Sequence, residues 1–567
     1  MKNKIAKLIT NPSLIYWVYA VSVFLYFQTK DRFDLWVATD SPGYVNFSFN
    51  SLSAIISQQR TFFYPLFLNL VKVISPDFHL LPAAQFVVYA LAVFVFFRGL
   101  RIANFSKIQA LVTALPLLHT QILWRLVPAQ LPEILSVSMA ILTIAFMFMF
   151  VKQTYNPFLL ITLSLSLFLT YQTRPSFLFL IPLVPLLTFV LVFFFNYHHR
   201  VRNNFYRNIL IKVVIACFIP YLLFNILRTS LVNTSGVVSF SGYSLSGITT
   251  QMLTADIIPE LPVEQQQLAQ AIVDWREQLK NMSPEELSQA IDEQFNHENM
   301  TPCLIPASKA TYTQWYYCFG FNSWRTAIKV ANNLYGDNPV LVNDSLKDLS
   351  LSIIKIQPRL YFKWIYNGLK LALKRLTYPE VGGVEKSLTE DVFLSYIAKV
   401  ITFVLVLLCL LFLLKIIGIT YLEKPAFLES PTSFLAIISS SLLIVYGLLL
   451  RWGFDFSDFL IIILWYNFLV IIAAIVIFVL IRIIGIFKFS SSDLKFFLPI
   501  PTELSAITMT GILFFLGGTF LTILVARPIP RYTQAYSVFL PSILSLTTLI
   551  LVTFTAKKVF NIFAKKT

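Results

Sequence analysis

The chain has 567 residues, of which 57% are hydrophobic and only 13% are charged, and it contains 54 phenylalanines. A soluble protein cannot cover so much apolar surface with so few polar groups, so the composition excludes an ordinary water-soluble domain. The net charge of +16 would suggest nucleic-acid binding in a soluble protein. Here we interpret it as the lysine and arginine excess of cytoplasmic loops, and we expect no nucleic-acid partner.

Continuous apolar runs recur along the chain, each of roughly 17–25 residues, which is the length of one bilayer crossing. Such runs predict α-helices, because hydrocarbon offers no partner for open backbone amides. Short alternating segments typical of a membrane β-barrel are not seen. We therefore predict an all-α polytopic membrane protein with about twelve transmembrane helices. The predicted spans are residues 13–28, 81–98, 108–123, 131–151, 157–172, 176–195, 209–227, 400–420, 432–450, 459–482, 503–525 and 535–555.

Basic residues precede the first predicted span and fill every second gap after it, which places both termini in the cytoplasm. A bacterial inner membrane is the expected location. Residues 1–227 then form an N-terminal transmembrane module of about seven helices, and residues 400–567 form a C-terminal module of about five. Residues 228–399 between them form a large, mainly helical extracytoplasmic loop subdomain.

The loops predicted to lie outside carry structure of their own. In the first, residues 29–80, the apolar piece Thr61–Ile74 either lies at the interface or re-enters the membrane. In the large loop, helical spacing predicts a solvated helix over Val263–Lys280 and an amphipathic helix in the headgroup layer over residues 359–376. That loop also contains Cys303 and Cys318, for which a disulfide and two free thiols both remain open.

Charged residues are almost absent from the predicted spans, which disfavours ion-coupled transport, since such transporters need buried carboxylates. The charges collect instead at the predicted outer ends of the helices, where the folded bundle can bring them together. The candidates of this kind are Asp40, Arg60, Arg125, Glu133, Arg174, Arg527 and Arg531.

Four short motifs surround these charges. They are Thr39-Asp40-Ser41-Pro42-Gly43-Tyr44, Arg60-Thr61-Phe62-Phe63-Tyr64-Pro65-Leu66, Gln172-Thr173-Arg174-Pro175 and Arg527-Pro528-Ile529-Pro530-Arg531-Tyr532. Together these motifs resemble the type-C integral-membrane glycosyltransferases. Members of that superfamily carry an acidic residue in the first outer loop, often with a tyrosine after it, then an aromatic-proline stretch before the second span. They often show an Arg-Tyr pair before the last span. Ser41 stands where the mannosyltransferases of that superfamily carry a second acid, which leaves the subfamily open.

The resemblance implies a sugar donor on a polyprenyl phosphate, inversion at the anomeric carbon and a lipid, glycan or protein acceptor. An acceptor hydroxyl is a weak nucleophile, so a carboxylate should take its proton; Asp40 is the candidate general base, and Glu133 is a candidate second catalytic acid that orients acceptor or sugar. Arginine suits the phosphate because its planar fork binds bidentately and keeps its charge. No cofactor is assigned, no metal-ligand cluster is found, and a divalent metal is left open. The residues expected to bind substrate are Tyr44, Arg60, Tyr64, Arg125, Arg174, Arg527, Arg531 and Tyr532.

Other interpretations stand beside this one. A polysaccharide polymerase or ligase with a diphosphate-linked donor has a similar topology, and a lipid or glycan transporter is an alternative from a different class. At the level of residues, Asp40 also suits a turn that caps its own backbone, and Arg60, Arg174 and Arg531 also suit lipid headgroups.

Overall fold

A computed structural model describes residues 11–196, 203–283, 286, 301–336, 338–377 and 502–543, together with 545–547, 549, 550 and 553. Within these ranges the chain is helical and forms no β-strand. In chain order the α-helices are α1 Pro12–Thr29, α2 Pro42–Val45, α3 Leu52–Ser57, α4 Phe63–Ile74, α5 Leu81–Ile102, α6 Lys107–Ala114, α7 Gln121–Leu126, α8 Glu133–Lys152, α9 Pro157–Thr173, α10 Leu180–Asn196, α11 Asn203–Val232, α12 Ser241–Thr249, α13 Val263–Asn281, α14 Tyr312–Tyr317, α15 Ile328–Tyr335, α16 Pro339–Ile356, α17 Pro358–Thr377, α18 Thr502–Val525 and α19 Pro530–Tyr536. Tighter helical turns occur at Leu115–His119, Pro175–Phe179, Ala255–Glu260 and Thr301–Leu304, and a wider one at Phe321–Ala327.

Five of the described helical segments are long and apolar enough to cross a membrane, and they indicate an integral membrane protein. They lie where the sequence predicts spans at 81–98, 131–151, 176–195, 209–227 and 503–525. The five segments are Leu81–Ile102, Glu133–Lys152, Pro175–Val192, Arg207–Val232 and Glu503–Val525.

The other predicted spans have different outcomes. Helices α1 and α9 lie at the predicted positions but are not among the five, and α9 has only 17 residues. The single span predicted at 108–123 is wrong, because Pro116 stands in a tight turn and the extended backbone of Thr120 separates that turn from α7. The spans at 400–420, 432–450 and 459–482 lie outside the described residues, and 535–555 is described only in part.

Helix α8 is the most enclosed of the five membrane-length helical segments. In α8, 89% of the apolar stretch is buried, whereas in α11 only 22% is buried and most of the helix faces outwards. Helix α8 packs against α5 and α9, and Thr143 bonds to Ser166 and Thr170 on α9, each at 3.2 Å. The first residue of α8 is Glu133, so the most enclosed helix fixes the position of that carboxylate.

The first-loop piece Thr61–Ile74 forms α4, whose twelve residues span only about 18 Å. That is too short to cross a bilayer, in agreement with the prediction. Its apolar residues Leu70, Val73 and Ile74 are 62–84% exposed, which gives the helix an outward face suited to lipid.

The described part of the large loop forms a packed helical layer. Helix α12 packs against α16 so closely that a Cβ at Gly242 would overlap the carbonyl oxygen of Asn343. The helices predicted at Val263–Lys280 and 359–376 are confirmed as α13 and α17. On α17 the indole nitrogen of Trp364 donates to the carbonyl oxygen of Ile523 at 2.9 Å, which ties this layer to the end of α18. A disulfide joins Cys303 and Cys318 and settles the alternative that the sequence left open.

Candidate functional site

The first loop is fixed against the segment that leads into α8. The amide of Trp36 donates to the carbonyl of Pro128 at 2.8 Å, and the amide of Gln130 donates back to Trp36 at 2.9 Å. The hydroxyl of Ser41 also donates to the carbonyl of Gln130 at 2.9 Å. These bonds hold Asp40, the residue before Ser41, beside the start of α8.

Proline residues position two of the arginines. Pro175 disfavours a helical conformation at Arg174, so α9 ends at Thr173 and Arg174 is extended. The hydroxyl of Thr61 donates to the carbonyl of Thr173 at 3.1 Å and fixes this corner against the first loop. Pro530 similarly starts α19, which places Arg531 in the first turn of that helix.

Asp40 is paired with two arginines from distant parts of the chain. Its Oδ1 accepts from Nη2 of Arg60 at 3.0 Å, and its Oδ2 accepts from Nη2 of Arg531 at 2.9 Å. The three side chains are 23–32% exposed, so this pair of contacts faces an open side of the site.

Glu133 forms the deeper half of the same network, with a side chain only 2% exposed. Its Oε1 lies 2.6 Å from Nη1 of Arg174 and 3.5 Å from Nε of Arg531. Arg531 therefore bridges the two carboxylates. We call Asp40, Arg60, Glu133, Arg174 and Arg531 the arginine–carboxylate cluster; three guanidinium groups against two carboxylates leave it with one positive charge.

Aromatic rings lie against the guanidinium groups. Arg60 lies 4.8 Å from the ring centroid of Tyr44 and 5.4 Å from that of Phe240. Arg174 and Arg531 lie 4.3 and 5.3 Å from the ring of Tyr532. These cation–π contacts hold the planar groups in place while leaving their edges available to other partners.

Several buried polar atoms of this region lack a hydrogen-bond partner among the described residues. They include Oε2 of Glu133, Oη of Tyr64, Nη1 of Arg174 and Nε of Arg531. Both arginine atoms are close enough to Glu133 for charge pairing, but neither makes an aligned hydrogen bond. Unpartnered buried polar atoms also occur elsewhere in the described residues, but here three of them belong to charged side chains, which makes this cluster the candidate ligand site.

The charge state of Asp40 follows from its partners. Burial alone would raise the pKa of this carboxyl, but the charge of Arg60 and the hydrogen bond and charge of Arg531 lower the pKa below its usual value. Asp40 is thus an ionised carboxylate at neutral pH. A carboxylate held in this way accepts protons poorly until its arginines leave it.

The structure brings most of the sequence-predicted residues together. Tyr44, Tyr64 and Tyr532 lie with the arginine–carboxylate cluster, whereas Arg527 stacks on Tyr316 and Phe319 at 5.7 and 5.8 Å. The four ion-pair contacts of the cluster do not include Arg527 or Arg125. Arg125 lies in α7, a helix that packs against α8 and α19.

One neighbour of the cluster was missed by sequence reasoning. Phe240 covers Arg60 from the large loop, and it stands in a segment, Ser239-Phe240-Ser241, with no charge or motif. Its preceding residue, Ser239, accepts from the buried Arg228, so the large loop is anchored directly beside the cluster.

Among the residues that the structure describes, no group of three or more His, Cys, Asp or Glu side chains is placed to hold a metal ion. Asp40 and Glu133 each face arginine, and a divalent metal stays an untested prediction. Comparison of the chain with protein-family models, curated proteins and solved structures gives no match.

Proposed function

We propose that this protein is an integral-membrane glycosyltransferase of the type-C kind, with about twelve spans, that moves a sugar from a polyprenyl-phosphate donor to an acceptor outside the cytoplasm. The observation that carries the proposal is the arginine–carboxylate cluster. Its members come from four parts of the chain, and Asp40 and Arg531 are 491 positions apart. A purely structural role does not require three guanidinium groups to converge with incomplete hydrogen bonding on two carboxylates.

The arginines are suited to the leaving group. A departing lipid phosphate gains negative charge, and guanidinium groups bind that charge bidentately without losing their own proton. Arg60 and Arg531 are partly exposed, so a phosphate can approach them from the open side. Arg174 lies deeper and supports the positive potential of the site.

Asp40 is the proposed general base, and its ion pairs define the order of events. A phosphate that binds Arg60 and Arg531 competes with Asp40 for the same donor groups. As those groups turn towards the phosphate, the carboxylate loses the charges that hold its pKa down and becomes a better base. It can then take the proton of an acceptor hydroxyl as that oxygen attacks the anomeric carbon and the phosphate leaves with its bonding electron pair.

The location of the charges favours an enzyme over a transporter. The cluster lies at the ends of α8 and α9 and in adjoining loops rather than midway along a span. Reaction with a lipid held in one leaflet needs a site at that depth, whereas alternating access needs a site near the midplane. The proposal places the cluster at the extracytoplasmic face, as the distribution of basic residues predicts.

The test replaces Asp40 by asparagine and measures transfer in proteoliposomes supplied with polyprenyl phosphates that carry different labelled sugars. Loss of the base should reduce transfer by about 10²–10⁴-fold, while binding of bare polyprenyl phosphate persists. Asp77→Asn is the matched control, because Asp77 is an exposed first-loop carboxylate paired with His79 outside the cluster.

Three results would contradict the proposal in different ways. Normal turnover by D40N would remove Asp40 as the base. Transfer from diphosphate-linked donors alone would favour the polymerase or ligase alternative. Movement of labelled glycolipid across sealed vesicles without a new glycosidic bond would favour the transporter.

A further inference from the structure

The buried floor of the arginine–carboxylate cluster, formed by Glu133 and Tyr64, carries two polar atoms without a partner in the part of the chain that the structure describes. Oε2 of Glu133 and Oη of Tyr64 have no hydrogen-bond partner among the described residues. The two residues are 1% and 0% exposed. An unsatisfied buried polar atom destabilises a protein by about 1–3 kcal/mol, and a charged one by more, so two beside one site need an explanation.

A chain of contacts connects Tyr64 to the cluster. Its ring packs edge-on against Tyr44 at 5.3 Å, and Tyr44 lies beneath the guanidinium of Arg60. Burial, with the charges of Glu133 and Tyr44, raises the pKa of Tyr64 well above its usual value. The phenol therefore stays protonated and can donate a hydrogen bond as well as accept one.

These two atoms define the chemistry of their partner. A carboxylate oxygen accepts hydrogen bonds only, whereas the phenol of Tyr64 can donate. A neutral hydroxyl has both capacities, because it can donate to Glu133 and accept from Tyr64. A phosphate does not fit, since the carboxylate repels it.

Neither Oε2 of Glu133 nor Oη of Tyr64 is accessible to solvent in this structure. Arg531 contacts both carboxylates, with Nη2 on Asp40 and Nε 3.5 Å from Glu133. In the proposed reaction the phosphate draws Arg531 away from both carboxylates.

We infer that Oε2 of Glu133 and Oη of Tyr64 form a subsite for one sugar hydroxyl, uncovered when the carrier phosphate takes Arg531, and that this subsite selects the sugar. The inference rests on the proposed function. The hydroxyl belongs either to the sugar of the donor or to that of a glycan acceptor. A site built to bond a hydroxyl rejects an analogue without it far more strongly than an apolar pocket rejects an extra methylene group.

The experiment measures binding of three probes to the purified full-length protein: bare polyprenyl phosphate, polyprenyl phosphates charged with different single sugars, and the free sugars. Tyr64→Phe removes only an oxygen that has no hydrogen-bond partner among the described residues, so the variant should fold normally. Tyr171→Phe is the matched control, because its hydroxyl is also buried and unpartnered but its ring packs against Phe168 and Tyr221.

The wild type should bind one charged carrier more tightly than the bare carrier, and it should not bind free sugars. Y64F should lose about 10-fold or more of the affinity for that charged carrier, with bare-carrier binding unchanged. Y171F should match the wild type, and Glu133→Gln should change sugar preference in the same direction as Y64F. If Y64F instead raises KM for a glycan acceptor and leaves donor binding intact, the hydroxyl is that of the acceptor.

The inference fails if Y64F and the wild type bind every charged carrier equally and show the same acceptor KM, or if Y64F and Y171F lose affinity alike. Those results leave the proposed function standing, provided bare polyprenyl phosphate still binds. A wild type that binds no polyprenyl phosphate, bare or charged, overturns the proposed function and the subsite together.

Discussion

Two groups of arginines in this protein have very different partners. Arg228, at the end of α11, is fully buried; it donates to the carbonyl oxygens of Ile56 at 3.1 Å and Ser235 at 3.3 Å, and to the hydroxyl of Ser239. Arg174 and the other arginines of the arginine–carboxylate cluster face carboxylates instead. The first kind of arginine joins segments of backbone, and the second kind balances charge.

Arg276 on α13 belongs with Arg228. Its Nη1 donates to the carbonyl of Thr250 at 2.9 Å, and its Nη2 donates to the carbonyl of Leu253 at 2.5 Å. Burial lowers the pKa of Arg276 to about 10, yet the group remains charged at neutral pH. These carbonyl oxygens belong to the fold and cannot turn away, so no ligand can exchange with them.

The contrast gives a criterion for recognising function. A guanidinium that is satisfied by backbone oxygens has no capacity left for a substrate. A guanidinium held by a carboxylate side chain can exchange that partner for a phosphate, because both partners are anions and the side chain can move. Burial alone does not separate the two kinds of site, since both contain arginines with little exposed surface.

The largest expected contrast comes from the same substitution at one residue of each group. Arg228→Lys should lower the free energy of unfolding by about 2 kcal/mol or more, because one ammonium cannot reach three acceptors and some stay buried and unpaired. Binding of polyprenyl phosphate by the folded fraction should be unchanged. Thermal unfolding in detergent and a carrier-binding assay measure the two effects.

Arg531→Lys should show the opposite result. The melting temperature should stay close to that of the wild type, and affinity for polyprenyl phosphate should fall about tenfold, because lysine keeps the charge but loses the bidentate geometry. If R531K loses stability and R228K loses carrier binding, the assignment of the two groups is reversed.

An intermediate effect is expected from the disulfide of the large loop. Cys303 and Cys318 are 15 residues apart and lie in a small core with Leu279 and Phe321. Leu279 is on α13, the helix that also carries Arg276. Replacing both cysteines by serine should lower stability by up to about 3 kcal/mol without changing carrier affinity. Cys217→Ala is the control, since Cys217 is buried but unpaired.

A loss of carrier binding in the double serine variant would contradict the separation of the two regions. It would mean that the large loop acts on the phosphate site through more than the position of Phe240 above Arg60. Equal destabilisation by Cys217→Ala would show that loss of packing, rather than loss of the cross-link, explains the change.

The long apolar helices and the candidate charges were predictable from the sequence, because both depend on local pattern. The length and composition of 131–151 predict α8, and the position of Glu133 at its start follows. The partners of Glu133 do not follow, since no local rule joins Arg174 to Arg531 across hundreds of residues. The sequence pattern identifies the candidates, and only the fold brings them together.

Some features could not be predicted because they depend on packing. Arg228 has the same sequence context as an arginine at a membrane surface, and only its contact with the first-loop helix α3 shows it to be structural. The failed span at 108–123 is different. Pro116 is a helix breaker that the sequence itself shows, and the apolar composition of 108–123 does not guarantee one continuous helix.

The smallest expected effect concerns pH, and it tests whether Asp40 changes partner during the reaction. Its pKa is lowered in the folded protein by Arg60 and Arg531, so its stabilising effect is complete above the unfolded-state pKa of about 3.9. The stabilising effect is lost as the pH falls through the pKa of Asp40 in the folded protein, which lies below the unfolded-state pKa. The difference in melting temperature between wild type and D40N should therefore be constant from neutral pH down to about pH 5 and shrink only below about pH 4.

Catalysis should report the pKa of Asp40 in two states. The acidic limb of kcat/KM reflects the free enzyme, where the arginines hold the pKa down, whereas that of kcat reflects the carrier complex. If the phosphate binds Arg60 and Arg531, the pKa of Asp40 rises in the carrier complex, and the acidic limb of kcat lies at higher pH than that of kcat/KM. The control variant Asp77→Asn should leave both limbs at the pH values of the wild type. Coincident limbs would mean that Asp40 keeps its arginines when the carrier binds, and a carboxylate so held could not be the base.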